Sequence, residues 1–301
     1  MRVFVTGASG HIGSALIPEL IGAGHQVAGL ARSDASAASV AALGAEVVRG
    51  DLDDLDGLRA AAAASDGVIH LAFKHDALLS GELSRAGDAD MAATAAIGDA
   101  LAGTGRPFVN TSGTGVLGSA GSAARPGTED DTRESGYRID TENATIALAA
   151  RGVRSSVVRL PPVVHSDLDH HGFVPTLIGF ARANGHAAYI GEGANRWPSV
   201  DTRDAAHLYR LALESAPAGS RLHAVADEGI AFRDLAAAIG GKLGVAAVSI
   251  SPEAASVQLG FLASFAQMDN PTSSSRTRAL LSWAPAHPGL LEDIAAGHYF
   301  G

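Results

Sequence analysis

Residues 1–13 read MRVFVTGASGHIG, and the rest of the chain is arranged around them. Arg2 to Thr6 alternate and are rich in β-formers, which predicts a strand. Gly7, Gly10 and Gly13 follow at three-residue spacing. Behind them Ile12, Leu16, Ile17, Leu20 and Ile21 recur with the period of a helix. A strand, a glycine turn and a helix N-terminus make an anion site, because outward N–H groups and the helix dipole favour negative charge and glycine lets a pyrophosphate approach the backbone. A second strand, Gln26 to Leu30, follows at βαβ distance. Gly7, Ser9, Gly10, His11, Ile12 and Gly13 are therefore candidates to cradle a dinucleotide; a turn whose glycines only permit close packing is the plainer alternative.

Composition narrows the remaining classes. The chain has 301 residues, enough for one large α/β domain with a smaller lobe. Its formal net charge of −10 argues against nucleic acid or an anionic membrane surface as partner. Cysteine is absent, which removes disulfide and thiolate chemistry. There is no apolar run of ~18 residues to span a membrane, and a strand starting at residue 2 leaves no place for a secretory leader, so a cytoplasmic location is expected. Lysine occurs only as Lys74 and Lys242 among 22 basic side chains.

Further motifs fall at predicted strand ends. The second strand runs into Arg32-Ser33-Asp34. A guanidinium here pairs with a 2′-phosphate and stacks on adenine, which favours NADP(H) over NAD(H); the alternative has Asp34 reaching the ribose. A third strand, Glu46 to Arg49, ends in Gly50-Asp51-Leu52-Asp53-Asp54, where Asp53 or Asp54 could cap the next helix. The fourth, Gly67 to Leu71, contains His70 and leads to Ala72, Phe73, Lys74 and His75, at the sheet edge where ligands bind. His70, mid-strand, is expected to be a core residue. After a small-residue-rich helix, Leu83 to Gly103, the fifth strand, Pro107 to Thr111, leads into Ser112. A loop rich in Gly, Ser and acid, Val116 to Ser135, suits a substrate-side flap. A helix from Gly136 to Gly152 carries Tyr137 and Thr141. His165, Asp167, Asp169, His170 and His171 crowd into seven residues, but without an i, i+4 His pair or a Glu base they suit a polar loop better than a metal site, and no metal is expected.

The glycine spacing with Thr6 before it, the run Val68 to Phe73, and Tyr137 twenty-five positions after Ser112 resemble the short-chain dehydrogenase/reductase superfamily. The closer resemblance is to its extended or atypical branch, the NAD-dependent epimerase/dehydratase-like proteins. It implies a Rossmann-type doubly wound parallel sheet over residues 1–165. Residues 166–301 would mainly form a smaller α/β substrate lobe, some segments returning to the first sheet. It implies catalytic roles for Ser112, Tyr137 and the residue at 141, where the family has lysine and this chain has threonine. It assigns Asp51 and Leu52 beside the adenine, Leu71, Ala72, Phe73 and Lys74 along the cofactor, and Pro161 and Val163 near the nicotinamide. Arg159 followed by Pro161 resembles the branch's Arg-Pro…Val-Tyr-Gly segment, though Pro162 stands near its Asn. Residues 191–201 resemble its entry to the substrate lobe, where Arg196 and Trp197 would line the pocket or else fasten the lobe. The activity implied is an NADP(H)-dependent oxidoreductase reducing a small carbonyl; an epimerase or dehydratase, or a non-catalytic cofactor-binding sensor, are the alternatives. A homodimer through the helices after strands four and five is a further implication.

Overall fold

Twelve strands are found among the residues that the computed structural model describes, 1–74, 83–117 and 125–301. His75 and residues 118–124 of the expected flap lie outside them. The strands are β1 (Arg2–Thr6), β2 (Gln26–Ala31), β3 (Glu46–Arg49), β4 (Gly67–His70), β5 (Pro107–Gly113), β6 (Arg154–Leu160), β7 (Val163–His165), β8 (Ala187–Ile190), β9 (Arg196–Asp201), β10 (Ser220–His223), β11 (Asp227–Ala231) and β12 (Ala247–Ile250). Seven form one parallel sheet in the order β10-β6-β5-β4-β1-β2-β3. Order reverses between β1 and β4, so the crevice at their C-terminal ends opens where the glycine turn leaves β1.

Both sheet faces are covered, which is why consecutive residues such as Val3, Phe4 and Val5 are apolar and buried alike. Val3 and Val5 face a layer built from Leu16, Ile17 and Leu20 of helix His11–Gly22 and Leu208, Tyr209 and Leu213 of helix Thr202–Ser215. Phe4, Val68 and Phe108 face the other layer, with Leu58 of helix Leu55–Ala63, Ile97 and Leu101 of helix Leu83–Leu101, and Leu148 just after helix Ile139–Ala147. In helix Leu83–Leu101 the residues Ala86, Ala93 and Ala96 are buried within the chain, so much of the alanine-rich face expected at a dimer contact is spent on internal packing.

The smaller lobe has two short sheets, β11-β9-β7 and β12-β8, around Trp197, Phe232, Leu235, Ile239 and Leu290. The chain does not divide cleanly at residue 165. Helix Thr202–Ser215 and β10 lie beyond that point and belong to the large sheet and its cover. The helix expected over Pro252 to Ala266 stops at Gln258 and continues as two short 3-10 turns, with Gly260 in the left-handed region at φ +50°.

Candidate functional site

The glycine turn needs its glycines for space. Gly7 has φ +66°, and a Cβ there would lie 2.7 Å from the Ala72 amide nitrogen. A Cβ on Gly13 would lie 2.4 Å from the Gly7 carbonyl oxygen. The turn therefore presses on the end of β4 on one side and on its own helix on the other. Gly10 caps that helix with no side-chain hydrogen bond, and the first turn carries no acid, so its N–H groups stay open to an anion. Thr6 sets the approach: its Oγ1 accepts the Ala72 N–H at 3.1 Å and shares a 2.7 Å hydrogen bond with His70 Nδ1. These residues fit a dinucleotide pyrophosphate.

At the end of β2, Arg32 is exposed and held by no other described residue. Ser33 caps helix Asp34–Ala42 in a reciprocal box with Ser36. Asp34 is ion-paired to Arg49 at the end of β3, whose guanidinium also donates to the Ser33 carbonyl at 2.7 Å. At this edge the acid is neutralised and the free charge is the arginine. Asp51 turns back to accept the N–H groups of Asp53 and Asp54, while Leu52 is buried in the core. The helix cap is Asp54, through the Gly57 N–H. Lys74 is clasped by both oxygens of Asp53 at 2.6 Å, so its charge is already paired. It lines an open cleft of about 440 Å³ with Ser84, Arg85 and Asp88.

Ser112 is 4% exposed and lies on the face of β5 that carries Asn110. Asn110 Nδ2 donates to Thr94 and Thr145, so this face looks at helix Ile139–Ala147. Ser112 Oγ has no hydrogen-bond partner of ordinary geometry, though it helps stabilise the nearby Glu142 carboxylate. Thr141, one turn before Thr145, is also buried.

Tyr137 differs from expectation. The helix begins at Ile139, not near Gly136, and its N-cap Arg138 is left-handed at φ +64°. Tyr137 thus precedes the helix, and Tyr137 and Thr141 are not stacked one helical turn apart. The Tyr137 ring is 43% exposed, packs across Gly87 and meets Phe73 edge-on, with centroids 6.4 Å apart. Burial, opposed by Arg138 and reinforced by Asp90, pushes its phenol up. Arg138 lies over the Phe73 ring at 4.2 Å, donates to the Thr111 carbonyl at 2.6 Å and approaches Asp90 at 3.6 Å. No sequence signal marks Arg138 or Asp90; only the fold brings them to the ends of β4 and β5.

Several other assigned residues make structural contacts. Arg159 and Glu142 form a buried bidentate pair, with Arg221 on the same carboxylate. Burial pushes the Glu142 carboxyl up, but Arg159 and Arg221 more than offset it, leaving it below its ordinary value. Pro161 is buried, and Val163 belongs to β7 and the lobe core. Arg196 pairs with Asp269, and Trp197 is buried against Phe232 with its indole N–H donating to the Phe265 carbonyl; both fasten the lobe. His165 bonds Asp293 through Nδ1, Asp169 accepts the Gly172 N–H, and His170 and His171 are neighbours at 6.4 Å. Among the described residues no three His, Asp or Glu side chains are grouped as metal ligands.

A model of the NAD dependent epimerase/dehydratase family matches residues 3–225. The chain belongs to that family. It is 45% identical over 300 residues to "Uncharacterized protein C2A9.02" of Schizosaccharomyces pombe, which it covers end to end. Among solved structures it resembles the UDP-glucose 4-epimerase of Thermotoga maritima, with a TM-score of 0.79, 18% identity and 100% and 98% of the two chains covered. It also resembles the dTDP-glucose 4,6-dehydratase of Streptomyces venezuelae, solved with NAD and TYD bound, with a TM-score of 0.76, 19% identity and 98% and 96% covered. At such identities the likeness establishes the epimerase/dehydratase fold, not the substrate. Use of a nicotinamide dinucleotide is a property of the family, and no helix among the described residues is long and apolar enough to cross a membrane.

Proposed function

We propose that the protein is an NADP(H)-dependent reductase of a small carbonyl compound, with Tyr137 as proton donor. The observation that carries this is the Tyr137 phenol, half-exposed and edge-on to Phe73 at the ligand edge of the sheet. A phenol, ordinarily near 10, carries a proton to give at neutral pH, and the burial that pushes Tyr137 up makes it a still poorer base. That matches carbonyl reduction, where oxygen gains a proton, better than alcohol oxidation, which needs a base.

The glycine turn of Gly7, Ser9, Gly10, His11, Ile12 and Gly13 would hold the pyrophosphate. Arg32, with Ser33, would hold a 2′-phosphate, because Asp34 is already neutralised by Arg49. Leu71, Ala72 and Phe73 border the crevice. The bound cofactor supplies the hydride. Ser112, whose hydroxyl lacks an ordinary partner, would steady the substrate oxygen, and Thr141 would offer a neutral hydroxyl where the family has lysine. The protein would act in the cytoplasm and could work as a homodimer.

Tyr137→Phe is expected to cut NADPH-dependent turnover on a panel of aldehydes and ketones by ~10²–10⁴-fold while NADPH binding survives. Native turnover in that variant overturns the mechanism. Tight NADPH binding with no turnover of any carbonyl by the native protein would favour a sensor, and release of a dehydrated or epimerised sugar nucleotide would favour the other chemistry of the family.

A further inference from the structure

We propose that Arg138 is the positioning residue that brings positive charge to the Tyr137 phenol, in place of the lysine that position 141 lacks. The inference rests on reading Tyr137 as the proton donor. Consecutive residues of an extended chain point to opposite sides. The left-handed backbone of Arg138 breaks that alternation, and both side chains end on one ring: the guanidinium lies 4.2 Å over the Phe73 centroid, and the Tyr137 ring is 6.4 Å from it.

The guanidinium is fixed from three directions. It donates to the Thr111 carbonyl, stacks on Phe73 and lies 3.6 Å from Asp90 Oδ2. That carboxylate is 2% exposed, and Oδ2 has no hydrogen-bond partner. A buried carboxylate so placed demands a cation, which explains why Arg138 accepts an uncommon backbone conformation. The other Asp90 oxygen lies 3.4 Å from His70 Nε2, and His70 bonds Thr6 at the start of the glycine turn. Among the described residues, the charged groups that act on the phenol are Arg138 and Asp90 on helix Leu83–Leu101, with His70 on β4 behind Asp90. Lys74 is spent on Asp53. Position 141 sits on the buried face of its helix and supplies no charge.

A bound reduced nicotinamide would supply the hydride; Tyr137 would give its proton to the substrate oxygen, and the alcohol would result. The phenolate left behind is stabilised by Arg138 and takes a proton from water, to which the ring is open.

The test is the titration of Tyr137 in the full-length protein without ligands, by NMR of tyrosine labelled with ¹³C at Cζ, the resonance assigned through Tyr137→Phe. Arg138→Met should raise the Tyr137 pKa by ~1 unit or more, the usual effect of an opposite charge nearby. Arg138→Lys should restore much of the native value. Asp90→Asn should shift it the other way, which a merely loosened structure would not do. Turnover should fall roughly three- to tenfold in Arg138→Met and recover in Arg138→Lys. A folded Arg138→Met protein whose Tyr137 titrates as in the native one overturns the proposal, as do shifts of the same sign in Arg138→Met and Asp90→Asn. If Tyr137→Phe keeps native turnover, the proton-donor reading falls, while the titration still decides whether Arg138 tunes the phenol.

Discussion

Gly13 has no room for a side chain, since a Cβ would sit 2.4 Å from the Gly7 carbonyl and 2.5 Å from that of Ala8. Both obstacles are backbone, so relief requires the helix to move off the turn. Gly13→Ala should destabilise the fold by ~1–3 kcal/mol, as overpacking does, and weaken NADPH binding more than a remote substitution of equal cost. Chemical denaturation and fluorescence titration of NADPH would show it. Arg32 makes the complementary case, a side chain that no described residue holds. Arg32→Ala should remove ~1.5–3 kcal/mol of preference for NADPH over NADH, the worth of a hydrogen bond to a charged group. Equal preference before and after the substitution, measured by thermal shift with each cofactor, would remove Arg32 from the site. The sequence singled out both residues, because one is a spacing and the other a charge at a strand end.

At the scale of elements, helix Ile139–Ala147 is tied to β6 and β10 by one carboxylate. Glu142 accepts from Arg159 at 2.5 and 3.0 Å and from Arg221 at 2.7 Å, with Asn143 taking the other Arg221 nitrogen. Glu142→Gln should cost ~3–5 kcal/mol, because it strands a buried guanidinium. The same tie has a pH signature. The folded carboxyl lies below its ordinary value, so its stabilisation is complete above the unfolded Glu range near 4.5 and is lost as pH falls through the folded value. Urea midpoints that fall on acidification in the native protein and fall less steeply in Glu142→Gln would confirm the sign. The sequence placed Arg159 but read it as a neighbour of the nicotinamide. Its partners Glu142 and Arg221 are seventeen residues upstream and sixty-two downstream, and only strand order reveals them.

Across the whole molecule, the cofactor turn is joined to the lobe by a polar seam. His11 Nε2 meets Thr202 Oγ1 at 2.7 Å, and Ser166 donates to the same oxygen at 2.9 Å. Burial, with His170 and His165 nearby, pushes the His11 imidazole down to about 4. Burial likewise brings His223 on β10 down to about 4. Below the unfolded histidine value of ~6.5 the unfolded chain binds protons that the folded one refuses, so the contribution of these histidines declines from there to about 4 and then levels. His11→Phe should therefore recover roughly 1–2 kcal/mol at pH 5 relative to its effect at pH 7, read from denaturation midpoints at the two values. A pH dependence identical to that of the native protein would show that His11 is not the group responsible. Because His11 also borders the expected pyrophosphate cradle, the seam links the lobe to the cofactor turn through Thr202.

The sequence by itself determined the parallel sheet and its glycine turn. It did so because these rest on local signals: apolar period, glycine spacing, and charge at strand ends that parallel βαβ winding must bring to one edge. In the sequence, Ser112 and Tyr137 are marked by their resemblance to the short-chain dehydrogenase/reductase pattern, not by such local signals. What it could not settle depended on contacts distant in the chain. The return of β10 to the large sheet, the burial of Trp197 and Arg159 as fasteners, and the capture of Lys74 by Asp53 follow from which segments end up adjacent. The start of the helix after Tyr137 is the clearest instance. The sequence period extends it to Gly136, but Arg138 stands in the left-handed region beside the buried Asp90 carboxylate, a residue distant in the chain, and the helix begins only at Ile139.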